Sequence, residues 1–263
     1  MDRTLAPFGR RLADVTGRTP LGAYFMLRCA DEDGPRPQAG QFYMLAAAER
    51  WGGGVDERPF LPRAFSVARV TDDGELEFML EDVGPGTRRL AELRAGDGLW
   101  LLGPLGKPFH APRDGRRPLL AGGGVGTAPL VILSDELEGA TTLLGFRDAE
   151  HAHGRELIPG AQVATDDGSV GYHGFVTDLL AAEIAADPAV EVYACGPPQM
   201  LEAVRALCAR LDVPAQLALE SGMACGFGAC FGCVVPVRGG GFVRLCVDGP
   251  VLDASTLEAV HAH

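Results

Sequence analysis

Apolar and polar positions give the chain three textures. In the first, roughly residues 1–112, short runs alternate. RAFSVARV (63–70) and ELEFML (75–80) change side at every residue, the period of a half-buried strand. Residues 99–102 form a short apolar run ending in Gly103-Pro104-Leu105-Gly106, while 31–40 and 51–56 are rich in turn formers. One helical piece, about 87–93, interrupts them. Short strands at even spacing predict a small antiparallel barrel.

The second texture, roughly 113–215, alternates strand with helix. Strands are expected at 118–121, 141–146, 162–165 and 190–194, and helices at 129–137, 177–185 and 198–211. That alternation predicts βαβ units around a parallel sheet. The third zone, 216–263, is too short for a large core and needs a staple. The expected architecture is multi-domain: an antiparallel β-barrel, an α/β parallel-sheet nucleotide domain, and a small C-terminal domain organised by a metal cluster.

Composition removes some classes of function. Asp and Glu outnumber Lys and Arg by 35 to 23, for a net charge of -12, and no long basic run occurs. Nucleic acid and anionic membrane surfaces are therefore poor partners. No uninterrupted apolar run approaches a membrane span. Residues 1–11 lack the apolar core and small-residue site of a secretory signal. A cytoplasmic location is expected, where clustered cysteines indicate metal or redox chemistry rather than disulfides.

Four of the seven cysteines, Cys225, Cys230, Cys233 and Cys246, follow the spacing Cys-x4-Cys-x2-Cys-x12-Cys. Thiolates are soft anionic ligands suited to iron and bridging sulfide, and the x4 and x2 intervals match plant-type [2Fe–2S] ferredoxins. A zinc knuckle and a chance set of core cysteines are the alternatives, although zinc usually takes two tight Cys pairs and only one is present. Cys29 and Cys208 read as packing residues.

Two weaker constellations precede the cluster. Arg63, Ala64, Phe65 and Ser66 lie on a predicted strand, with Arg63 and Phe65 on one face and Ser66 on the other. A guanidinium suits a flavin pyrophosphate, and a flat ring suits an isoalloxazine, but such an Arg also reads as an ordinary solvated residue. Gly84-Pro85-Gly86-Thr87 opens the helical piece, offering backbone N–H groups and a hydroxyl. LLAGGGVGTAPL (119–130) has the strand–glycine–helix context of a dinucleotide site without the strict GxGxxG spacing. Cys195-Gly196-Pro197 ends the last parallel strand, the edge where ligands gather. Cys195 reads either as a small buried residue or as a thiol beside a nicotinamide.

In this order the residues resemble the ferredoxin–NADP reductase superfamily, and within it the electron-transfer subunits of class 1B dihydroorotate dehydrogenases. The resemblance covers nearly the whole chain. It is carried by RAFS (63–66), GPGT (84–87), GPLGKPF (103–109), GGGVGTAPL (122–130), TDDGS (165–169), ACGPPQML (194–201), ESGMACGFGACFGCVVP (220–236) and CVDGP (246–250). It implies domains at 1–112 (FAD), 113–215 (NAD) and 216–263 ([2Fe–2S]). Arg63, Ala64, Phe65 and Ser66 would bind FAD, with Gly86 and Thr87 on its pyrophosphate and Met79, Leu80 and Glu81 in further contacts through the main chain. Gly122, Gly123, Gly124, Gly126 and Cys195 would line the nicotinamide site, and the four cysteines would ligate the cluster. Ala64 and Phe65 stand where relatives often carry Ile and Pro, residues 51–57 form an extended Gly-rich loop, and Glu81 replaces a residue that is basic in some relatives.

The resemblance also implies a route: dihydroorotate reduces FMN on a separate catalytic subunit, and electrons pass through the cluster and FAD to NAD+ for pyrimidine biosynthesis, in a heterotetramer of two subunits of each kind. NAD is expected over NADP because Asp148 beside Arg147 opposes a 2′-phosphate. The alternatives are a reductase subunit serving a transhydrogenase, hydrogenase or oxygenase, and a redox sensor with degraded cofactor sites.

Overall fold

The computed structural model describes residues 9–53 and 58–258. The reading of the N-terminus therefore lies outside the described residues up to residue 8, as does that of the 51–57 loop from residue 54.

The first zone is a seven-stranded antiparallel sheet built from β1 (Arg11–Leu21), β2 (Tyr24–Ala30), β3 (Phe42–Ala47), β4 (Arg63–Ser66), β5 (Arg69–Val70), β6 (Leu76–Glu81) and β7 (Gly98–Leu105) in the order β4-β3-β7-β1-β2-β6-β5. The expected single strand over 63–70 is corrected to two strands at opposite ends of this order. Val67 and Ala68, both buried, turn the corner between them. The Val67 N–H donates to the Gln41 carbonyl and the Ala68 N–H to the Glu77 carbonyl, so the break rolls the sheet toward closure. Helix α1 (Pro85–Ala91) starts two residues before the expected 87. Pro85 has its torsion pre-set for the first helical position, and the Thr87 hydroxyl accepts the N–H groups of Val83 (2.9 Å) and Gly84 (3.0 Å).

The second zone contains β8 (Arg117–Gly123), α2 (Ala128–Glu136), β9 (Thr141–Phe146), β10 (Gln162–Thr165), β11 (Tyr172–His173), α3 (Val176–Ala186), β12 (Val190–Cys195), α4 (Pro198–Leu211) and β13 (Ala215–Ala218). The strands are parallel, in the order β11-β10-β9-β8-β12-β13. Their continuous buried runs are those of a sheet covered on both faces. In α4 the buried side chains Leu201, Val204, Leu207 and Cys208 recur at helical spacing. The helix stops where Asp212 takes a left-handed φ of 55°.

The last zone is less separate than its sequence suggests. β13 runs across position 215, and β16 (Val251–Asp253) returns to pair antiparallel with it. Between them, β14 (Val234–Pro236) and β15 (Phe242–Arg244) form a hairpin. Leu245, Cys233 and Cys246 are buried in one core with Phe42 and Met44 of the barrel and Leu217 of the sheet. Among the described residues no helix is long and apolar enough to cross a membrane.

A polar seam fastens the inter-domain segment to the sheet. The Gln216 side chain accepts from the His110 N–H (2.9 Å) and donates to the His110 carbonyl (3.1 Å) and the buried Glu191 carboxylate (3.1 Å). Tyr193 donates to the same carbonyl at 3.1 Å, and the Arg113 N–H donates to Glu191 at 2.7 Å. Gln216→Leu strips this seam of its central partner. It should cost about 1–3 kcal/mol, the range for a buried polar group left without a partner, seen as a lower unfolding midpoint.

Candidate functional site

The cysteine spacing has a structural reason in two pieces. Cys233 and Cys246 stand at the two ends of the β14–β15 hairpin, so twelve intervening residues bring their sulfurs to 3.3 Å. Cys225 and Cys230 bracket a tight loop in which Gly226 and Gly228 hold left-handed φ values of 78° and 86°. A Cβ at Gly226 would stand 2.6 Å from Met44 Cγ, and one at Gly228 2.7 Å from Val247 Cγ2, so the loop needs glycine for space as well as for torsion.

This curl aims donors at sulfur. Burial opposes ionisation of Cys225, but the N–H groups of Cys230, Phe227 and Ala229, together with the Cys230 thiol, outweigh it and bring its pKa down to about 7. Cys246 is pushed up to about 12 by burial and by the neighbouring Cys233. Two pairs, one exposed or half-buried (Cys225, Cys230) and one buried (Cys233, Cys246), suit a two-iron centre with two thiolates on each iron. The donor set, thiols with backbone N–H groups turned toward sulfur, fits [2Fe–2S].

The flavin candidates divide. Arg63 lies against Gly86: a Cβ there would be 2.5 Å from Arg63 Nε, so a side chain at 86 would push the guanidinium aside from the start of α1. Ala64 and Ser66 pair with Met44 and Phe42 on β3, and Phe65 packs partly on the barrel core. Met79 and Leu80 are buried in the barrel, yet β5 pairs only with Leu76 and Glu77. The main chain from Phe78 to Glu81 has no strand partner on that side among the described residues. Thr87 is occupied as the cap of its own helix. Glu81 instead reaches the nucleotide domain, accepting from Arg147 Nη2 at 2.7 Å and meeting His151 Nε2 at 3.2 Å.

The glycine-rich turn and Cys195 do come together. Gly122 is in register with Cys195 across β8 and β12, and Gly126 packs directly on the Cys195 carbonyl, where no Cβ fits. Gly123 packs against Met200, and Gly124 faces the Tyr24 hydroxyl of the barrel. These contacts pack the turn closely against the end of β12. Cys195 itself is 2% exposed, and burial, then the Glu220 carboxylate, hold its thiol well above the usual range. It is a neutral, packed thiol. Glu220 retains surface exposure, but the surrounding protein raises its carboxyl above the ordinary value.

Tyr24 and His151 escaped the sequence reading, because their roles come from contacts across domains and no local pattern marks them. Tyr24 meets the His151 ring edge-on at 5.4 Å, and His151 Nδ1 bonds Asp148 at 2.6 Å. Asp148 is held below the usual carboxylate range by the His151 side-chain and backbone hydrogen bonds. Arg147 pairs with Glu81 at 2.7 Å and Asp148 at 3.7 Å.

Comparison with known proteins agrees with this layout. Residues 220–258 match the iron–sulfur cluster binding domain of dihydroorotate dehydrogenase B. The chain is 39% identical over 252 residues to a probable dihydroorotate dehydrogenase B (NAD(+)) electron transfer subunit of Methanopyrus kandleri, covering 93% of this chain and 90% of that one. It is 34% identical over 222 residues to the electron transfer subunit from Clostridium acetobutylicum, covering 83% and 85%. Among solved structures, an NADH-dependent reduced ferredoxin-NADP oxidoreductase superposes with a TM-score of 0.78 at 25% identity, covering 96% of this chain and 91% of that one. The ferredoxin reductase of carbazole 1,9a-dioxygenase shares the fold at a TM-score of 0.65 and 24% identity, over 79% of this chain and 66% of that one.

In the chain stripped of iron, iodoacetamide should label Cys225 with a rate that rises through about pH 7, because the thiolate is the nucleophile. Cys246 should stay inert until the pH approaches about 12. Peptide mapping across a pH series separates the two, and equal labelling at neutral pH contradicts the pairing described.

Proposed function

The chain belongs to the family of dihydroorotate dehydrogenase B (NAD(+)) electron transfer subunits, and from that membership we propose the roles of its residues in passing electrons from the FMN of a catalytic subunit, through [2Fe–2S] and FAD, to NAD+ in pyrimidine biosynthesis. When bound, the cluster supplies single-electron exchange, the nicotinamide accepts hydride, and the flavin serves both.

Cys225, Cys230, Cys233 and Cys246 ligate the cluster, with the loop N–H groups stabilising charge on sulfur. Arg63 holds the FAD pyrophosphate beside Gly86, Ala64 to Ser66 orient the ring, and the open edge of β6 at Met79, Leu80 and Glu81 contributes main-chain contacts. Thr87 acts at one remove, by capping the helix that carries Gly86. Gly122, Gly123, Gly124 and Gly126 receive the NAD pyrophosphate, and Cys195 packs beneath the nicotinamide site without ionising. The Arg147 pairing favours NAD over NADP.

The observation that carries the reading is the asymmetry of the thiol pairs, one inside and one facing out. The outer pair is flanked by exposed Phe227 and Phe231. Phe231 holds a left-handed φ of 57°, and Arg244 stands 5.3 Å from its ring. Residues held in disfavoured torsions cluster at functional sites, and the two exposed rings lie next to each other around the outer thiols in sequence. We assign this face to the FMN-containing catalytic subunit, in an assembly of two of each, and place the assembly in the cytoplasm, where clustered cysteines serve metal or redox chemistry rather than disulfides.

Anaerobic co-purification with the candidate catalytic subunit tests this. The pair should reduce NAD+ with dihydroorotate, and this chain alone should not. Cys230→Ser should abolish the visible cluster absorption and the dihydroorotate-dependent reaction while NADH still reduces bound FAD. A pair that binds but leaves flavin and cluster unbleached by dihydroorotate points to another partner. NADPH should reduce the flavin far more slowly than NADH, and equal rates contradict the role given to Arg147.

A further inference from the structure

A cavity of about 380 Å³ lies at the N-terminal ends of the parallel strands. Arg116, just before β8, and Val213 to Ala215, leading into β13, are in its lining. The glycine-rich turn and Cys195 stand at the opposite ends of β8 and β12, about 20 Å away at the usual rise of a strand. None of the residues assigned to FAD, NAD or the cluster lines this cavity.

Separate parts of the chain build its walls. Arg113 and Arg116 come from the segment joining barrel to sheet, Asp212 from the end of α4, and Arg238 from the turn of the β14–β15 hairpin. The hairpin wall is fixed through backbone, the Arg238 N–H donating to the Thr256 carbonyl at 2.8 Å.

Four arginines therefore line one cavity of a chain whose net charge is -12. Their charges are not equally engaged. Arg205 is held at two atoms by Glu202, at 2.8 and 2.6 Å. Arg113 bonds Asp253 at 2.6 Å and lies 3.8 Å from Glu191. Arg116 donates to the carbonyls of Val190 (3.0 Å) and Pro188 (3.4 Å), neutral acceptors that leave its charge uncompensated. Arg238 is exposed, and its guanidinium has no hydrogen bond or ion pair among the described residues. The Asp212 carboxylate is unpaired among them too, and the last carbonyls of α4 add negative partial charge beside it. Two free cations and a free carboxylate thus share a cavity without meeting. A guanidinium suits phosphate, and a carboxylate suits the hydroxyl donors of a sugar. Val213, Pro214 and Ala254 supply apolar surface to the same cavity. Its volume falls within the roughly 300–1,000 Å³ of small-molecule sites.

We propose that this cavity binds a ribose phosphate, free or within a nucleoside monophosphate, with phosphate on Arg116 and Arg238 and sugar hydroxyls on Asp212. The ligand is an effector rather than a substrate, since the flavin, NAD and cluster residues all lie elsewhere. It ties the hairpin that carries Cys233 and Cys246 to the nucleotide domain.

The full chain with its cluster and FAD, kept anaerobic, is titrated in a calorimeter with AMP, UMP, ribose 5-phosphate and inorganic phosphate. The three sugar phosphates should each bind more tightly than inorganic phosphate. A nucleotide that binds more tightly than ribose 5-phosphate identifies the ligand as a nucleotide, and equal affinities identify it as a sugar phosphate. Arg238→Ala, at an exposed side chain with no bond to lose, should weaken all four probes about tenfold, the loss of one hydrogen bond to a charged group. Asp212→Asn keeps a residue tolerant of the left-handed φ of 55°. It should weaken the three sugar phosphates about threefold and leave inorganic phosphate no weaker. Affinities unchanged by Arg238→Ala overturn the proposal, because the phosphate then sits elsewhere, the glycine-rich turn included. Ribose 5-phosphate bound no more tightly than inorganic phosphate overturns it as well, leaving a site for a bare anion only. Arg238→Ala that weakens association with the catalytic subunit at unchanged probe affinity makes the cavity a docking surface instead, and this too overturns it.

Discussion

The segment from Leu219 to Pro250 has too few apolar side chains for a core of its own, and the rest of the architecture follows from where it finds one. Cys233, Leu245 and Cys246 complete a core already begun by Phe42 and Met44 on the barrel and Leu217 on the sheet. The inner thiol pair is thereby fixed to two domains at once. Return of β16 to β13, and the Leu219 N–H on the Pro250 carbonyl at 3.0 Å, tie both ends of the excursion to the same sheet edge. The outer thiols hang from this anchor on a loop whose glycines are set by contact with Met44 and Val247. Placement of the metal centre is thus a property of barrel and sheet together.

Much of this was legible in the sequence because the signals were local. The parallel strands announce themselves as continuous apolar runs, α4 by its helical spacing, and the cluster by ligand intervals that a hairpin and a curled loop explain. What the sequence hid was non-local. The alternation of residues 63–70 is that of one strand, but Val67 and Ala68 form a corner whose partners, Gln41 and Glu77, lie far off in the chain. The apparent end of the nucleotide domain fell inside β13, because the strand that completes the edge arrives only at Val251.

The candidate site was legible to a similar depth. Glycines that must admit a backbone or a guanidinium, Gly86 and Gly126 above all, stand where the motifs put them. The Thr87 hydroxyl is taken by its own helix and the Glu81 carboxylate by Arg147, which leaves their main chains for the contacts the resemblance implies. Short polar side chains have several possible partners, and only the fold chooses among them. Cys195 illustrates the same point for a thiol. Its position beside the glycine turn is as the motif implies, but its burial makes it a space-filling neighbour of the site rather than a reactive one.

The pairing of β16 with β13 also governs how the molecule meets others of its kind. A parallel sheet with an uncovered border offers rows of unpaired backbone groups to any strand that drifts by. Here one border is the two-residue β11 and the other the three-residue β16. The longer, more apolar β13 is kept from being a border at all. The tail that carries the metal ligands therefore doubles as a hem for the sheet. That hem is pinned by more than the thiols: Arg113 pairs with Asp253 of β16 at 2.6 Å, and Ala254 and Leu257 just beyond it are buried in the core shared with Cys233 and Cys246.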